Sequence, residues 1–278
     1  MITSGDVSKY ADPCQRFAVN TGCSFGVQFF SMRTAIFYIL VTAQLFWWDL
    51  VDKVLLIVGY SLAQGHINAT VSFRARRLLA IASTWVGFNF RFDPLPPGLP
   101  REMLIVANHQ SLIDIAAIMA YFGDHSVRFV AKRELRKWFP AVSGVLRIQK
   151  HALINRHRDF SAAMREIDRM SRRLGPGECP VIFPEGTRSR DGQLLPFHSG
   201  AIRRVHAIRP LPIVALAIEG GSRYATLRDF TAATGGDVYH LSVVRVFPPV
   251  QGKRELLEQI SIARDSISQR IAQWRNAG

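Results

Sequence analysis

Between residues 100 and 220, short apolar stretches alternate with stretches of helical periodicity, and this alternation constrains the fold more than any other feature of the chain. The predicted elements are strands at 102–107, 127–131, 180–184 and 211–218, and helices at 111–121, 157–174 and 199–207. Strands that alternate with helices usually pair through crossover connections, so the pattern predicts an α/β fold with a layered mixed sheet flanked by helices. Two further strands, 88–92 and 240–247, and a C-terminal amphipathic helix complete the predicted domain.

The N-terminal third carries two apolar runs, at 34–48 and 54–63, which are separated by Asp49, Asp52 and Lys53. A membrane-spanning helix needs about 20 apolar residues, and burying three charged groups at its middle is costly. One straight span across both runs is therefore disfavoured. We expect a hydrophobic helical hairpin that dips into one leaflet of a membrane.

Two alternatives to this hairpin stay open from the sequence. The first is a single span that ends with Trp47 and Trp48 at the membrane interface. The second is a soluble pair of core helices, which the concentration of aromatic residues in the first run disfavours. The predicted organisation is a polar N-terminal segment at 1–33, membrane-associating helices at 34–90 and an α/β domain at 91–278.

His109 and Asp114 lie where a predicted strand gives way to a predicted helix. Five positions of a helix turn through about 500°, so these side chains meet only if His109 precedes the helix and Asp114 lies in its first turn. Ser111 is the predicted N-cap of that helix. A carboxylate on one imidazole nitrogen leaves the other nitrogen to act as a base. The alternative is a capping box, with His109 as a polar turn residue.

A second polar turn follows the predicted strand at 180–184. Gly186 permits close backbone approach, Thr187 offers a hydroxyl, and the guanidinium of Arg188 suits a phosphate or a carboxylate. The turn can therefore hold an anion. The alternative is a surface turn in which Glu185 and Arg188 form a weak exposed ion pair.

Together these segments resemble the glycerolipid acyltransferase family, which is typified by 1-acylglycerol-3-phosphate acyltransferases. Four matches occur in the family's order between about residues 100 and 220: Asn108-His109-Gln110-Ser111 with Asp114, Phe129-Val130-Ala131-Lys132-Arg133-Glu134-Leu135, Phe183-Pro184-Glu185-Gly186-Thr187-Arg188-Ser189, and Leu211-Pro212-Ile213-Val214-Ala215-Leu216-Ala217-Ile218. A block associated with the acceptor departs from the pattern. Arg156 stands at the family's arginine, but Lys150 replaces a glycine and Asn155 an aspartate. The resemblance therefore leaves the acceptor open.

The resemblance implies an O-acyltransferase in which His109, oriented by Asp114, deprotonates the free hydroxyl of a lysolipid. That hydroxyl then attacks an acyl thioester, either acyl-CoA or an acylated carrier protein. The residues implied in substrate binding are Glu185, Gly186, Thr187, Arg188, Arg156 and Lys132, although Lys132 reads equally well as a solvated residue at the start of a helix. A Ser111 nucleophile is disfavoured because the strained glycine turn of such serines is missing.

The expected acceptor is 1-acylglycerol-3-phosphate, which would give phosphatidic acid. One alternative is the same transfer to another lysolipid, such as a lyso-ornithine lipid or a lysophospholipid. Another is a catalytically silent membrane-binding protein that keeps the motifs only as fold markers. The intact His109, Asp114, Glu185 and Arg188 disfavour that last reading.

Charge and cysteine content bear on partners and location. The chain has 35 Lys plus Arg against 21 Asp plus Glu, a formal charge of +14 that favours an anionic partner. No nucleic-acid reader motif is present, so membrane lipids are expected and nucleic acid is not. Three widely spaced cysteines form no metal or disulfide pattern, and no cofactor fingerprint occurs, so no metal or bound cofactor is expected. We expect membrane association, with the catalytic domain facing a reducing cytoplasm at a bacterial inner membrane.

Overall fold

The computed structural model describes residues 32–133, 141–154, 160–226, 229–230 and 236–277. Nearly all of the predicted N-terminal segment 1–33 lies outside these ranges. The described elements are α1 (Met32–Val58), α2 (Tyr60–Val86), β1 (Asn89–Phe92), β2 (Leu104–Ala107), α3 (Ile113–Tyr121), β3 (Ser126–Lys132), α4 (Val142–Ile148), β4 (Ala152–Ile154), α5 (Phe160–Arg173), β5 (Glu178–Ile182), α6 (Gly200–Ile208), β6 (Ile213–Glu219), a short 3-10 turn (Ser222–Tyr224), β7 (Val238–Phe247) and α7 (Lys253–Ala277).

The strands form one seven-stranded sheet in the order β1-β7-β6-β2-β5-β3-β4. The five strands from β6 to β4 are parallel, whereas β7 runs antiparallel to β6 and parallel to β1. The predicted mixed α/β sheet is therefore confirmed. Strand β4 is a short element that the sequence pattern did not predict, because its three residues lie inside the block that was interpreted only as acceptor-associated.

Both faces of the sheet are covered by helices, and the central strand β2 is buried along its whole length. Its alternate side chains enter two separate clusters, with Ile105 in one and Leu104 in the other. Helices α2 and α3 cover the first face, and helices α5, α6 and α7 cover the second. Burial on both faces explains why the central strands read as continuous apolar runs.

Helices α1 and α2 form an antiparallel hairpin that turns at Gly59. Cross-contacts run along its length: Arg33 donates to the Thr84 carbonyl at 3.1 Å, Arg77 donates to the Gln44 side chain at 2.9 Å, and Arg74 binds Asp52 through two hydrogen bonds of 2.6 and 2.7 Å. Residues 49–53 were expected to separate the two apolar runs into two helices. This expectation is wrong, because residues 49–53 lie inside α1.

Specific contacts let the charged residues sit within α1. The Asp52 carboxylate is neutralised by Arg74, whose guanidinium also lies 5.6 Å from the centre of the Trp48 ring. The Asp49 carboxylate pairs with Lys53 at 2.7 Å and accepts a hydrogen bond from the backbone NH of Ala141 at 2.9 Å. The helix therefore continues through a stretch that hydropathy alone marks as a break.

Helix α1 is long and apolar enough to cross a membrane, with a window mean hydropathy of 1.5. Only 17% of that window is buried, so most of its apolar side chains face outward and a soluble core-helix pair is disfavoured. The exposed large apolar residues of the hairpin are Met32, Ile39, Leu40, Phe46, Trp47, Leu50, Val54, Ile57, Val58, Tyr60, Leu62 and Phe73. An apolar surface of this extent indicates membrane association. Insertion into one leaflet stays a prediction.

Candidate active site

The turn after β2 begins with Asn108, which extends the pairing of β2 with β6. Its side-chain amide donates to the Ile218 carbonyl and its side-chain carbonyl accepts from the Ile218 NH, each at 2.8 Å. These two bonds hold the end of β2 in register. The next residue in the turn is His109.

The structure brings His109 and Asp114 together. Nδ1 of His109 lies 2.7 Å from Oδ2 of Asp114, whose side chain is fully buried. The same oxygen accepts hydrogen bonds from the backbone NH groups of Gln110 at 2.7 Å and Ser111 at 2.9 Å. Because the carboxylate can only accept, Nδ1 carries the proton and Nε2 is left as the basic nitrogen.

The prediction that Ser111 is the helix N-cap is wrong by one residue, since α3 begins at Ile113 after Leu112. Ser111 is instead held in the turn: its hydroxyl donates to the Tyr224 carbonyl and accepts from the NH of Ile113 at 3.2 Å. Oδ2 of Asp114 bonds both backbone NH groups and the His109 ring, so the capping-box alternative and the predicted His109–Asp114 pair coexist, and the catalytic role stays a prediction.

Phe183 forms one wall of the site directly after β5. Its ring stacks on the His109 imidazole with a centroid distance of 4.1 Å and an interplanar angle of 17°. The ring of Phe129 in β3 also stacks on the ring of Phe183, with 6.3 Å between the two ring centroids. The imidazole is therefore held against an apolar wall that excludes water from one of its faces.

Glu185 and Ser189 hold the backbone of His109 from the second turn. Glu185 is buried, and its Oε1 and Oε2 accept hydrogen bonds from the NH groups of His109 at 2.8 Å and Leu195 at 3.0 Å. The NH of Ser189 donates to the His109 carbonyl at 2.8 Å. Burial, with the Asp114 charge nearby, raises the pKa of Glu185 to about 7 against the opposing effect of its two hydrogen bonds.

This placement gives Glu185 a contact that sequence reasoning missed. The sequence predicted a role in positioning the acceptor, and that role stays a prediction. The structure shows both carboxylate oxygens bonded to backbone NH groups, so the side chain joins the two turns. Its separation of 76 residues from His109 left no local signal for this contact.

The remaining residues of the second turn differ in exposure. Gly186 has a φ of +67° and is exposed, as is Thr187. Arg188 is half-buried, and its guanidinium donates to the Ala225 carbonyl. A guanidinium has five N–H donors, so this anchoring bond leaves others to meet an anion at the exposed turn.

The structure does not describe the side chains of two predicted binding residues, Lys132 and Arg156. Lys132 is the last residue of β3, and its side chain lies outside the described atoms. Arg156 falls in 155–159, outside the described residues. Lys150 is described: it is exposed, with a φ of +56°, directly after α4. Its NH donates to the Arg147 carbonyl and the NH of His151 donates to the Leu146 carbonyl, a Schellman motif at a position that favours glycine.

An apolar pocket of about 370 Å³ opens beside the second turn. Its lining comes from the carboxyl ends of the strands and the first turns of two helices, and includes Val130, Ile154, Phe160, Met164, Ile182, Phe183, Pro184 and Ala201. Because Phe183 also stacks on His109, the pocket and the basic nitrogen share a wall. An alkyl chain fits such a lining.

Tyr239 of β7 is a second buried partner of the site that the sequence did not reveal. Its hydroxyl donates to Oδ1 of Asp114 at 2.7 Å, and its side chain is fully buried. In the sequence it is one aromatic residue in an apolar strand. The neighbouring pair Gly220-Gly221 was the available signal, because adjacent glycines mark a close backbone approach.

Within the ranges that the structure describes, no group of three His, Cys, Asp or Glu residues is arranged to hold a metal ion. Around His109 the charged and polar atoms are instead bonded to one another and to backbone NH groups. The arrangement suits proton transfer by an imidazole that a carboxylate orients.

Part of the chain is similar to known acyltransferases. Residues 93–219 match the family model described as Acyltransferase. A 1-acyl-sn-glycerol-3-phosphate acyltransferase of Cocos nucifera is 36% identical over 118 residues, which is 42% of this chain and 37% of that protein. The Homo sapiens 1-acyl-sn-glycerol-3-phosphate acyltransferase beta is 38% identical over 109 residues, 39% of this chain and 38% of that protein.

Two further relatives widen the comparison. A lyso-ornithine lipid O-acyltransferase of Brucella abortus is 30% identical over 141 residues, covering 50% of each protein. The crystal structure of the 1-acyl-sn-glycerophosphate (LPA) acyltransferase of Thermotoga maritima superposes with a TM-score of 0.64 at 20% identity, over 87% of this chain and 95% of that one, and shows the shared fold. Residues 93–219 are thus similar in sequence to known glycerolipid acyltransferases. The chain spans about two fifths to one half of the length of the curated relatives described here.

Proposed function

We propose that the protein transfers an acyl group from a thioester to the free hydroxyl of a lysolipid, with 1-acylglycerol-3-phosphate as the acceptor and phosphatidic acid as the product. The observation that carries the proposal is the buried His109–Asp114 pair, in which the carboxylate fixes the tautomer and leaves Nε2 as the base. The named activities of the relatives support the same reaction class.

The reaction needs one base and no covalent acyl-enzyme. Nε2 of His109 takes the proton of the acceptor hydroxyl while the hydroxyl oxygen bonds to the thioester carbonyl carbon. The carbon–sulfur bond then breaks, and the imidazolium returns the proton to the leaving thiolate. Asp114 stabilises the imidazolium that exists between these steps, as expected for an oriented histidine base.

The surroundings of His109 suggest where the substrates lie. The apolar pocket that shares Phe183 with the imidazole would hold an acyl chain. The exposed turn of Gly186, Thr187 and Arg188 would bind the acceptor phosphate, with Arg156 and Lys132 adding positive charge. The donor would be acyl-CoA or an acylated carrier protein, as a substrate rather than a bound cofactor.

The exposed apolar hairpin and the +14 charge support action at an anionic membrane surface. We place the catalytic domain on the cytoplasmic side of a bacterial inner membrane. In this arrangement the hairpin enters the leaflet from which the lysolipid is taken.

A second acceptor, a lyso-ornithine lipid or a lysophospholipid, is favoured by one observation. Lys150 occupies a left-handed position that glycine would adopt without strain, so a lysine there costs stability and adds charge beside the acceptor-associated block. The lyso-ornithine lipid O-acyltransferase of Brucella abortus is among the relatives.

The test is release of free thiol by the purified full chain in mixed micelles. Acyl-CoA and acylated carrier protein serve as donors, with lysophosphatidic acid, lyso-ornithine lipid and lysophosphatidylcholine as acceptors. His109→Ala should abolish turnover, and His66→Ala in α2 should leave it intact as a matched deletion outside the site. No turnover with any pair, together with retained liposome binding, would instead identify a silent membrane-binding protein.

A further inference from the structure

We propose that Tyr239 is a positioning residue of the acyl-transfer reaction, which holds the Asp114 carboxylate in the orientation that bonds the His109 imidazole. The inference deepens the proposed function and rests on it. Tyr239 lies twenty residues beyond the region matched by the acyltransferase family model, which ends at residue 219.

The two oxygens of Asp114 have different partners. Oδ2 receives the imidazole Nδ1–H and two backbone NH groups, whereas Oδ1 receives the hydroxyl of Tyr239 at 2.7 Å. Rotation of the carboxylate about its Cβ–Cγ bond would break bonds at both oxygens. The phenol therefore holds the carboxylate oxygen that does not bond His109.

Two adjacent glycines allow β7 to come this close. Gly220 has a φ of +94°, and a Cβ there would lie 2.0 Å from the Val238 carbonyl oxygen. A Cβ on Gly221 would lie 3.2 Å from Cε2 of Tyr239 and 3.3 Å from Oδ1 of Asp114. The backbone after β6 thus passes directly beside the Tyr239–Asp114 bond, where only a hydrogen-sized substituent fits without displacing a neighbour.

The phenol is a constant donor. Burial and the charge of Asp114 raise the pKa of Tyr239 well above its usual range, so its hydroxyl keeps its proton wherever the enzyme is active. The titratable groups around the carboxylate are His109 and Tyr239 in direct contact, with Glu185 bonded to the backbone of His109 and under the influence of Arg264.

Loss of the phenol hydroxyl has two consequences. Oδ1 is left buried without its donor, so the carboxylate can rotate and the imidazole is less well aligned. The negative charge of the carboxylate is also no longer partly neutralised by the hydrogen bond from Tyr239, so the carboxylate attracts the imidazolium of His109 more strongly. The first effect lowers kcat. The second moves the acidic limb of the rate profile to higher pH.

The experiment compares Tyr239→Phe with Tyr121→Phe. The hydroxyl of Tyr121, at the end of α3, accepts a hydrogen bond at 3.4 Å from the NH of Val243 in β7, so the control removes a phenol hydroxyl that contacts the strand of Tyr239. Thiol release is followed with acyl-CoA and the lysolipid that gives the highest wild-type turnover, between pH 5 and 9. Melting temperatures are measured for each protein in the same micelles.

We expect Tyr239→Phe to lower kcat by roughly 10- to 100-fold, with the KM for the acceptor unchanged and the acidic limb shifted to higher pH. Glu185 is present in the wild type and in every variant, so its titration contributes equally to each pH profile. Tyr121→Phe should match the wild type. A folded Tyr239→Phe protein with the wild-type kcat and pH profile would overturn the proposal.

Gly221→Ala provides a second variant that keeps the phenol. The φ of Gly221 is −87°, which an alanine accepts, but the added methyl would lie 3.1 Å from Cβ of Ser111, 3.2 Å from Cε2 of Tyr239 and 3.3 Å from Oδ1 of Asp114, so these neighbours must yield by a few tenths of an ångström. We expect a smaller fall in kcat and a limb shift in the same direction. If Tyr239→Phe does not fold, Gly221→Ala decides, and wild-type kinetics there would overturn the proposal.

The outcomes separate this inference from the proposed function. Without His109-dependent turnover in the wild type, the proposed function fails and this inference fails with it. With His109-dependent turnover that Tyr239→Phe leaves unchanged, only the role of Tyr239 is refuted.

Discussion

Asp52 in the hairpin and Asp114 beyond the carboxyl end of β2 are both buried beside a paired side chain, and the two pairs are built differently. In the hairpin, Asp52 and Arg74 bond through two atoms on each side, and both side chains are almost inaccessible. Beyond the carboxyl end of β2, the fully buried Asp114 carboxylate accepts hydrogen bonds from four donors. Its partner His109 uses only one ring nitrogen in the pair.

We interpret the Asp52–Arg74 pair as structural and the His109–Asp114 pair as the proposed reactive one. The Asp52–Arg74 pair directs its two charges at each other, so it can set the register of α1 against α2. The His109–Asp114 pair surrounds one member with donors and leaves the other with a basic nitrogen. Burial of charge therefore does not by itself mark a candidate catalytic group, and the proposed assignment rests on how the hydrogen bonds are distributed between the two partners.

The strongest test of this contrast is Asp114→Asn. An amide retains much of the shape, but it no longer fixes the tautomer or stabilises the imidazolium, so kcat should fall by roughly 10³- to 10⁴-fold. Thiol release measures the change. Asp114→Asn activity within a few-fold of the wild type would contradict the assignment of the reactive pair.

Asp52→Asn tests the structural pair. Removing one partner leaves the buried Arg74 charge uncompensated, so the free energy of unfolding should fall by about 3–5 kcal/mol. Denaturant unfolding in micelles measures this loss, and kcat of the folded fraction should stay near the wild-type value. Asp49→Asn is the matched control, because Asp49 pairs with a largely exposed Lys53 and should cost far less.

Glu185, which bonds the backbone of His109, should make the free energy of unfolding depend on pH. Its pKa is raised to about 7, so between pH 4.5 and 7 the folded protein holds a proton that the unfolded chain releases. The free energy of unfolding should therefore decline as pH rises through this window, by an amount on the order of 3 kcal/mol. Unfolding at pH 5, 6, 7 and 8 checks the slope. Glu185→Gln should flatten it, and an equal slope in both proteins would refute the assignment.

Lys150→Gly has the smallest expected effect. Glycine adopts the left-handed C′ position of the Schellman motif without strain, so the substitution should stabilise the protein by about 1 kcal/mol. The melting temperature reports the gain. If Lys150 contributes charge to acceptor selection, the ratio of turnover on lyso-ornithine lipid to lysophosphatidic acid should fall. Arg147→Gly, an exposed position inside α4, should destabilise the protein instead.

The sequence predicted the parts of the fold whose causes are local. Alternating apolar periods identified β2, β5 and β6, and the spacing of His109 and Asp114 predicted that they meet only across a strand-to-helix turn. The missed features depend on distant contacts. Tyr239 bonds Asp114 across 125 residues and Glu185 bonds His109 across 76, and neither contact leaves a local pattern.

The hairpin shows the same limit. A hydropathy pattern assigns a break to residues 49–53, because it treats each charge as unpaired. Arg74 lies 22 positions from Asp52 and turns that break into a helix interior. The kind of structure was therefore predictable, but the position of the turn at Gly59 was not.

The hairpin is fastened to both ends of α4. Asp49 accepts from the NH of Ala141 ahead of the helix, and at the other end Tyr60 donates to the Ile148 carbonyl at 3.2 Å and Gln149 donates to Asn68 at 3.1 Å. Lys150 follows α4 after the single residue Gln149, so the start of the acceptor-associated block lies at a fixed distance from the hairpin turn. If the hairpin enters a lipid layer as we propose, the depth of its insertion also determines how far this block lies above the headgroups.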